Sequence, residues 1–264
     1  MFGMCGIENV SNERSEPEGR GEQPDENGRV RWQAILATVR GEDFAHAGET
    51  ESIDFVFQQL QPQRSWNVLD IGCGRGGTAH YVNEQGWGQV VGVDIDEPSI
   101  EYAQAKFPQL KFVVGAMETV GTQFPQQFDL IYSFNVFYAS NDKRAAMASF
   151  RKAAKPGAML CIFDYIYHRP EGALPEVFLG QRPATDEEFT TFAQEASWQI
   201  EKNENLDAKY IEWYSRFLAK FDDPALSRGY SKEVIDGVRA KYAELLASIE
   251  SGTLGGVLFL ARAH

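Results

Sequence analysis

Val68-Leu69-Asp70-Ile71-Gly72-Cys73-Gly74-Arg75-Gly76-Gly77 joins one predicted element to the next, and the architecture of the chain follows from it. A short, mostly apolar run from Trp66 to Ile71 carries Asp70 near its end and gives way to four glycines. Thr78 to Gln85 then has the makings of a helix. Strand, tight turn and helix N-terminus together let backbone approach a ligand closely. Glycines 72, 74 and 77 fit G-x-G-x-x-G, a pattern shared by several nucleotide-binding classes. Asp70, two positions before the first glycine, narrows the choice. A pyrophosphate would be repelled by its carboxylate, whereas an ammonium or sulfonium group would be attracted.

The chain has 264 residues and suits one domain with a sizeable core, with room for an insertion. No apolar run is long enough to span a bilayer. The first residues lack a basic start followed by an apolar segment, so no membrane association and a cytoplasmic location are expected. Cys5, Cys73 and Cys161 are widely spaced, which implies neither a disulfide framework nor a metal site. A formal charge of -13 disfavours nucleic acid as a partner and permits a small cationic or neutral one, while as a whole it reads as solvated acidic surface.

Residues 1–28 are poor in large apolar groups and are expected to form a disordered tail, with one domain over 29–264. Helical spacing is expected from Val30 to Val39 and from Glu51 to Gln59, with Thr50 a candidate N-cap for the second. Gly41 to Glu49 between them reads as a loop with few core residues. After the glycine turn, strands are expected at Gln89–Val93, Lys111–Val114, Phe128–Ser133 and Ala158–Phe163. Helices intervene at 98–105 and 142–154, and Lys155-Pro156-Gly157 reads as a turn. This alternation predicts a parallel, doubly wound sheet. A further helix is expected from Thr185 to Ala196, and strands at Trp198–Glu201 and Gly255–Ala261. Helical patterns at 206–221 and 231–249 fall between these last two strands, an insertion over about residues 205–252 that is far longer than an ordinary connection.

The D-x-G-x-G-x-G form at Asp70 to Gly76, Asp94 ending the second strand and Phe128-Asp129-Leu130-Ile131-Tyr132-Ser133 resemble the class I S-adenosylmethionine (SAM)-dependent methyltransferases. With Phe44-Ala45-His46-Ala47-Gly48 and the Lys155-Pro156-Gly157 … Phe163-Asp164-Tyr165 run, the chain looks like the phosphoethanolamine N-methyltransferases and related small-molecule methyltransferases. The resemblance extends loosely from about residue 40 onward. It implies a Rossmann-like α/β fold, a seven-stranded, mostly parallel sheet with an antiparallel last strand, and an inserted helical lid between the last two strands. It also implies SAM as cofactor and S-adenosylhomocysteine as product. Backbone from Gly72 through Cys73 to Gly74 would touch the methionine end of the cofactor, with Asp70 near its ammonium. Asp94, with Ile95 beside it, would hold the ribose; Glu118 would meet the adenine amino group and Met117 the ring. A nicotinamide dehydrogenase shares the glycines and a late acidic residue, but not Asp70 before the turn, the preceding helical segment or the fourth strand.

Methyl transfer from a sulfonium needs alignment and exclusion of water more than covalent help. Where the resembled family places an acid and a histidine after the fourth strand, this sequence has Asn135 and Ala139, and Gly252 to Gly256 offers no lysine. The acceptor is therefore expected to differ. Candidate catalytic residues are His46, Asn135 and Tyr138; candidate acceptor-binding residues are Tyr165, Tyr210, Trp213 and Tyr214. The last three could face a methylammonium, although their helical spacing is also what a core helix presents. The function expected is methylation of a small molecule, first at an amine nitrogen, without a metal, by a monomer or homodimer. Oxygen methylation and non-catalytic SAM binding are the alternatives.

Overall fold

The computed structural model describes residues 32–41 and 43–264. The expected tail, Cys5 and the start of the first helical pattern at Val30 lie outside the described residues. Seven strands form one sheet: β1 (Asn67–Ile71), β2 (Gln89–Asp94), β3 (Lys111–Val114), β4 (Phe128–Phe134), β5 (Ala154–Tyr167), β6 (Trp198–Asn205) and β7 (Leu254–Ala263). Their spatial order is β3-β2-β1-β4-β5-β7-β6. β1 to β5 run parallel, while β7 is antiparallel to both β5 and β6. The order reverses between β1 and β4, which opens a crevice at the carboxyl ends of those strands.

Side chains alternate along each central strand, and both faces are covered. Val68, Leu130, Cys161 and Leu258 point to one buried layer. Their neighbours Leu69, Ile131, Ile162 and Phe259 point to the other. That is why β5 reads as an unbroken apolar run rather than an alternating one. The first layer is closed by α1 (Trp32–Arg40), α2 (Glu49–Leu60), α3 (Gly77–Glu84) and α4 (Glu97–Lys106); α5 (Val120–Gln123), α6 (Lys143–Ala153) and α7 (Asp186–Glu195) cover the second. The start of α7 is fixed by reciprocal hydrogen bonds between Thr185 and Glu188, the capping box its sequence spells.

The insertion between β6 and β7 folds into α8 (Asp207–Ala219), two 3₁₀ turns (Lys220–Asp222 and Pro224–Arg228) and α9 (Lys232–Glu250). Tyr210, Trp213, Tyr214 and Phe217 recur at helical spacing on the buried side of α8, as do Val238, Tyr242, Leu245 and Ile249 on α9. Both stripes join the first layer, against α1 and α2. Among the described residues no helix is long and apolar enough to cross a membrane.

Three local expectations are corrected. The loop at 41–49 is not poor in core residues, because Phe44, His46 and Ala47 are buried beneath α2 and α8. The N-cap of α2 is Gly48 in a left-handed conformation, not Thr50, which lies inside the helix. Lys155-Pro156-Gly157 does not end the segment. It bulges from β5, whose pairing with β4 jumps from Phe128↔Ala154 to Leu130↔Met159 while the strand continues.

Candidate cofactor and acceptor site

The turn after β1 is pinned to the end of β2. The amides of Gly72 and Cys73 both donate to the Val93 carbonyl, at 2.7 and 3.2 Å. The Gly74 amide donates to Asp94 Oδ2 at 2.8 Å, and the Asp96 amide to Oδ1 at 2.9 Å. Asp94 thus shapes the turn it faces, while Asp96 caps α4 by accepting from the Ser99 amide. Gly72 has φ 72°, and a Cβ there would lie 2.2 Å from Val136 Cγ1. Gly74 has φ 49° with no atom within 4 Å of such a Cβ, so space is open in front of the turn.

At the carboxyl ends of β1 to β4 lies a cavity of about 170 Å³. Gly72, Asp94, Ile95, Met117 and Glu118 line it, with Ala116, Val136 and Ser140 among the other lining residues. Glu118 accepts a hydrogen bond from Ser140 Oγ. Burial raises the Asp94 carboxyl above its usual range, against the lowering effect of the Asp96 and Gly74 amides. Cys73 does not line this cavity. Its sulfur lies 2.8 Å from where a Cβ of Gly92 would sit, and burial pushes its thiol well up, so it packs rather than reacts. A more open depression of about 430 Å³ lies at the amino ends of the strands, lined by Asn67, Gln89 and Lys111, away from the crevice.

Asp70 is buried behind the turn. Its Oδ2 has no hydrogen-bond partner, and the Tyr132 hydroxyl beside it completes none. Burial, with a smaller push from Asp94, raises its carboxyl to about 8, partly offset by Tyr132. A buried carboxyl with an unfilled oxygen is costly, and a donor or cation supplied by a ligand relieves that cost. The orphaned Asp70 oxygen, the open space at Gly74 and the carboxylates of Asp94 and Glu118 along one cavity fit a ligand with an ammonium at one end and a nucleoside at the other.

The loop carrying His46 packs between the starts of α2 and α3. His46 Nε2 lies 3.0 Å from Thr78 Oγ1, and Nδ1 lies 3.1 Å from the Ala47 carbonyl and 3.3 Å from Ser52 Oγ. Its ring packs on Phe134 at 4.9 Å, and burial lowers its pKa to about 3. The imidazole is neutral with both nitrogens engaged. Asn135, left-handed at φ 52°, joins three elements. Its amide donates to Phe163 O at 2.8 Å, its Oδ1 accepts from the Ala47 amide at 2.9 Å, and its Nδ2 donates to the Tyr210 hydroxyl at 2.9 Å.

Tyr138 and Tyr165 are brought together by Asp164, whose two oxygens accept their amides at 3.0 and 2.7 Å. Asp164 is fully buried, and burial raises it to about 7 despite those donors. The Tyr165 and Tyr214 hydroxyls hydrogen-bond to each other. Tyr210 packs on Phe163 and Tyr165, and Trp213 on Phe163. The rings of Tyr165, Tyr210, Trp213 and Tyr214 are buried, and Tyr138 is half-buried. The cation that already sits against Tyr214 is the chain's own Arg40. Gly256 on β7 is what admits Tyr210, whose Cδ2 would lie 2.2 Å from a Cβ there. Asp164, Arg40, Val136 and Ser140 escaped the sequence reading. Asp164 stood within a quoted motif, but nothing in the sequence signalled that Arg40 turns inward.

Residues 68–157 match the family model described as a methyltransferase domain. Phosphoethanolamine N-methyltransferase 1 of Zea mays is 31% identical over 141 residues, 52% of this chain and 27% of that protein. The chain thus spans about a quarter of the length of the curated plant relatives it matches. Phosphoethanolamine N-methyltransferase 2 of Haemonchus contortus, solved with phosphomonomethylethanolamine and S-adenosylhomocysteine, superposes with a TM-score of 0.78 at 20% identity, covering 88% of this chain and 57% of that one. Geranyl diphosphate C-methyltransferase of Streptomyces coelicolor gives a TM-score of 0.65 at 14% identity, over 82% of this chain and 79% of that one. Glycine turn, acidic strand ends and sheet order agree with the family match: residues 68–157 match a methyltransferase domain, set in the Rossmann-like fold of the class I SAM-dependent methyltransferases.

Proposed function

We propose that the chain transfers a methyl group from SAM to a small molecule, at an amine nitrogen, by in-line displacement. The observation that carries the reading is the buried Asp70 oxygen without a partner, set behind a cavity lined by Gly72, Asp94 and Glu118. Asp70 would face the cofactor ammonium, Asp94 and Ile95 the ribose, and Met117 and Glu118 the adenine. Gly72 to Gly74 would supply close backbone contact, with Cys73 serving only to pack the turn. SAM supplies an electrophilic methyl group on a positively charged sulfur.

The chain's own residues then have three tasks. Asn135 ties the His46 loop to α8 through Ala47 and Tyr210, so it holds the roof of the site in one place. Tyr138, Tyr165, Tyr210, Trp213 and Tyr214 would face the acceptor and exclude water, which an in-line displacement needs more than a strong base. His46, neutral and doubly engaged, positions rather than accepts a proton. An amine loses its proton to solvent before attack, so no buried base is required. The insertion carrying α8 and α9 acts as the lid. Partial identity to the phosphoethanolamine N-methyltransferases supports nitrogen as the acceptor atom.

The test is calorimetric titration with SAM and S-adenosylhomocysteine, followed by methyl transfer to a panel of amines, alcohols and carboxylic acids. Micromolar cofactor binding and amine products are expected. Products formed only on oxygen or carbon, or none across the panel despite tight cofactor binding, would reject the amine reading.

A further inference from the structure

Arg40, at the last turn of α1, turns its guanidinium inward, and its side chain has no exposed surface. Nη1 donates to Glu49 Oε1 at 2.9 Å. Nε and Nη2 have no hydrogen-bond partner. The guanidinium lies 4.0 Å from the ring centroid of Phe217 and just under 6 Å from those of Tyr214 and Tyr242. The Tyr242 hydroxyl is the polar group that interacts with it from α9, without filling Nε or Nη2. Burial works against the charge, yet Tyr214, Tyr242 and Glu49 together hold Arg40 above its usual pKa, so the cation persists.

The two unpartnered nitrogens are not an arbitrary pair. Nε–H and one Nη2–H point the same way and form the side-on edge of the guanidinium, the fork that meets both oxygens of a carboxylate in two parallel hydrogen bonds. A buried donor left unfilled costs about 1–3 kcal/mol, more when charged, so a purely structural arginine would be expected to spend this edge on protein acceptors. It spends only Nη1. The guanidinium lies against Tyr214 of α8 and Tyr242 of α9, and Tyr214 is bonded to Tyr165, which packs on Tyr138 and on Tyr210, the partner of Asn135. Both covering helices belong to the insertion, so they must shift for an acceptor to enter.

Building on the amine reading above, we propose that Arg40 recognises an anionic group of the acceptor through its Nε/Nη2 edge, and that this group is a carboxylate, making the acceptor an amino acid. A phosphate fits less well. One fork offers two donors to a group with three free oxygens and up to two charges, and the carboxylates of Glu49 and Asp164 already lie in this part of the fold.

The experiment uses the full chain saturated with S-adenosylhomocysteine, as wild type, Arg40→Gln, Arg40→Lys and Arg40→Met. Each is titrated calorimetrically with α- and β-amino acids, with the matching amines lacking the carboxylate (ethylamine beside β-alanine, methylamine beside glycine), and with phosphoethanolamine. At least one amino acid should bind wild type about 100-fold more tightly than its amine. Arg40→Gln should erase that preference, and Arg40→Lys, which keeps the charge without the fork, should lose most of it. S-adenosylhomocysteine affinity should stay within about twofold in every variant. Arg40→Met should abolish carboxylate binding with an unchanged or raised midpoint of thermal unfolding, since it removes two unfilled buried donors. Should Arg40→Gln not fold, Arg40→Lys carries the comparison.

An amino-acid preference that survives in Arg40→Gln and Arg40→Lys, no amino-acid binding to wild type, or Arg40-dependent binding of phosphoethanolamine above every amino acid would each overturn the proposal. Turnover is read separately. Arg40-dependent amino-acid binding without methyl transfer would sink the amine reading and leave the Arg40 site standing. Amine methylation indifferent to Arg40 would do the reverse.

Discussion

Cofactor binding should expel a proton from Asp70. Without ligand its carboxyl is held at about 8, so at pH 7 about nine-tenths of molecules carry the proton. An ammonium placed within about 4–6 Å lowers a carboxyl by roughly 1–3 pH units, which takes Asp70 to between about 5 and 7. About 0.4–0.9 proton per ligand should then leave at pH 7, rising with the size of the shift, and only about 0.1 at pH 9, where Asp70 is already ionised. The sign for stability follows from the same shift. Because the folded-state pKa is raised, the unfolded chain holds fewer protons between about pH 4 and 8, and the ligand-free protein should lose stability as pH rises through that window.

The assay is titration with SAM in two buffers of different ionisation enthalpy, since released protons are taken up by the buffer and change the observed heat. Wild type should show a buffer-dependent enthalpy at pH 7 that nearly vanishes at pH 9. Asp70→Asn should show none at either pH, and neither should 5′-methylthioadenosine, which lacks the amino group. Identical heats in both buffers for wild type at pH 7 would refute the reasoning, as would full release in Asp70→Asn.

The two turn glycines should separate. Gly72→Ala meets both a left-handed backbone and Val136, and should lower stability to urea by about 2–5 kcal/mol, whereas Gly74→Ala meets only the backbone strain and should cost about 1–2; equal costs would contradict the described packing. Asp94→Ala should weaken SAM at least about 100-fold by calorimetry while unlocking the Gly74 amide, and retained micromolar affinity would move the ribose elsewhere. Asn135→Ala should lose its hydrogen bonds to Ala47 and Tyr210 and destabilise the fold by about 2–4 kcal/mol in denaturant titration, and a change within about 0.5 kcal/mol would mean the roof is held by other contacts.

The strands were readable because each is a short apolar run closed by a residue with its own local signature: Asp70 before its glycines, Asp94 before Pro98, Phe134 before Asn135. Such signatures act over a few residues, and the observed boundaries fall close to them. The insertion was readable for a different reason, since a gap of that length between two strands must fold on its own account. What escaped depends on distance in space. Thr50 looked like a cap because its chemistry suits one, but the close packing of Trp213 against Gly48 fixes where α2 begins. The Lys155-Pro156-Gly157 turn became a bulge because pairing with Phe128 extends β5 backward to Ala154. Arg40 was invisible because its inward course is set by Phe217 and Tyr242, some 180 and 200 residues further along the chain. The aromatic stripe of α8 was readable as amphipathic, but its partners, Phe163 of β5 and Gly256 of β7, were not.

β7 lies between β5 and β6, yet it follows β6 and the whole insertion in the chain. As the polypeptide leaves the ribosome, β1 to β5 can assemble into a parallel sheet whose exposed edge is β5. β6 emerges next and has no edge to dock on, because β7, the strand it pairs with, is not yet made. Until β7 arrives, the β5 edge offers unpaired amides and carbonyls to any passing extended segment. Translation speed across α8 and α9 therefore sets how long that edge stays open, and slow codons there should raise aggregation in cells without altering the purified native protein.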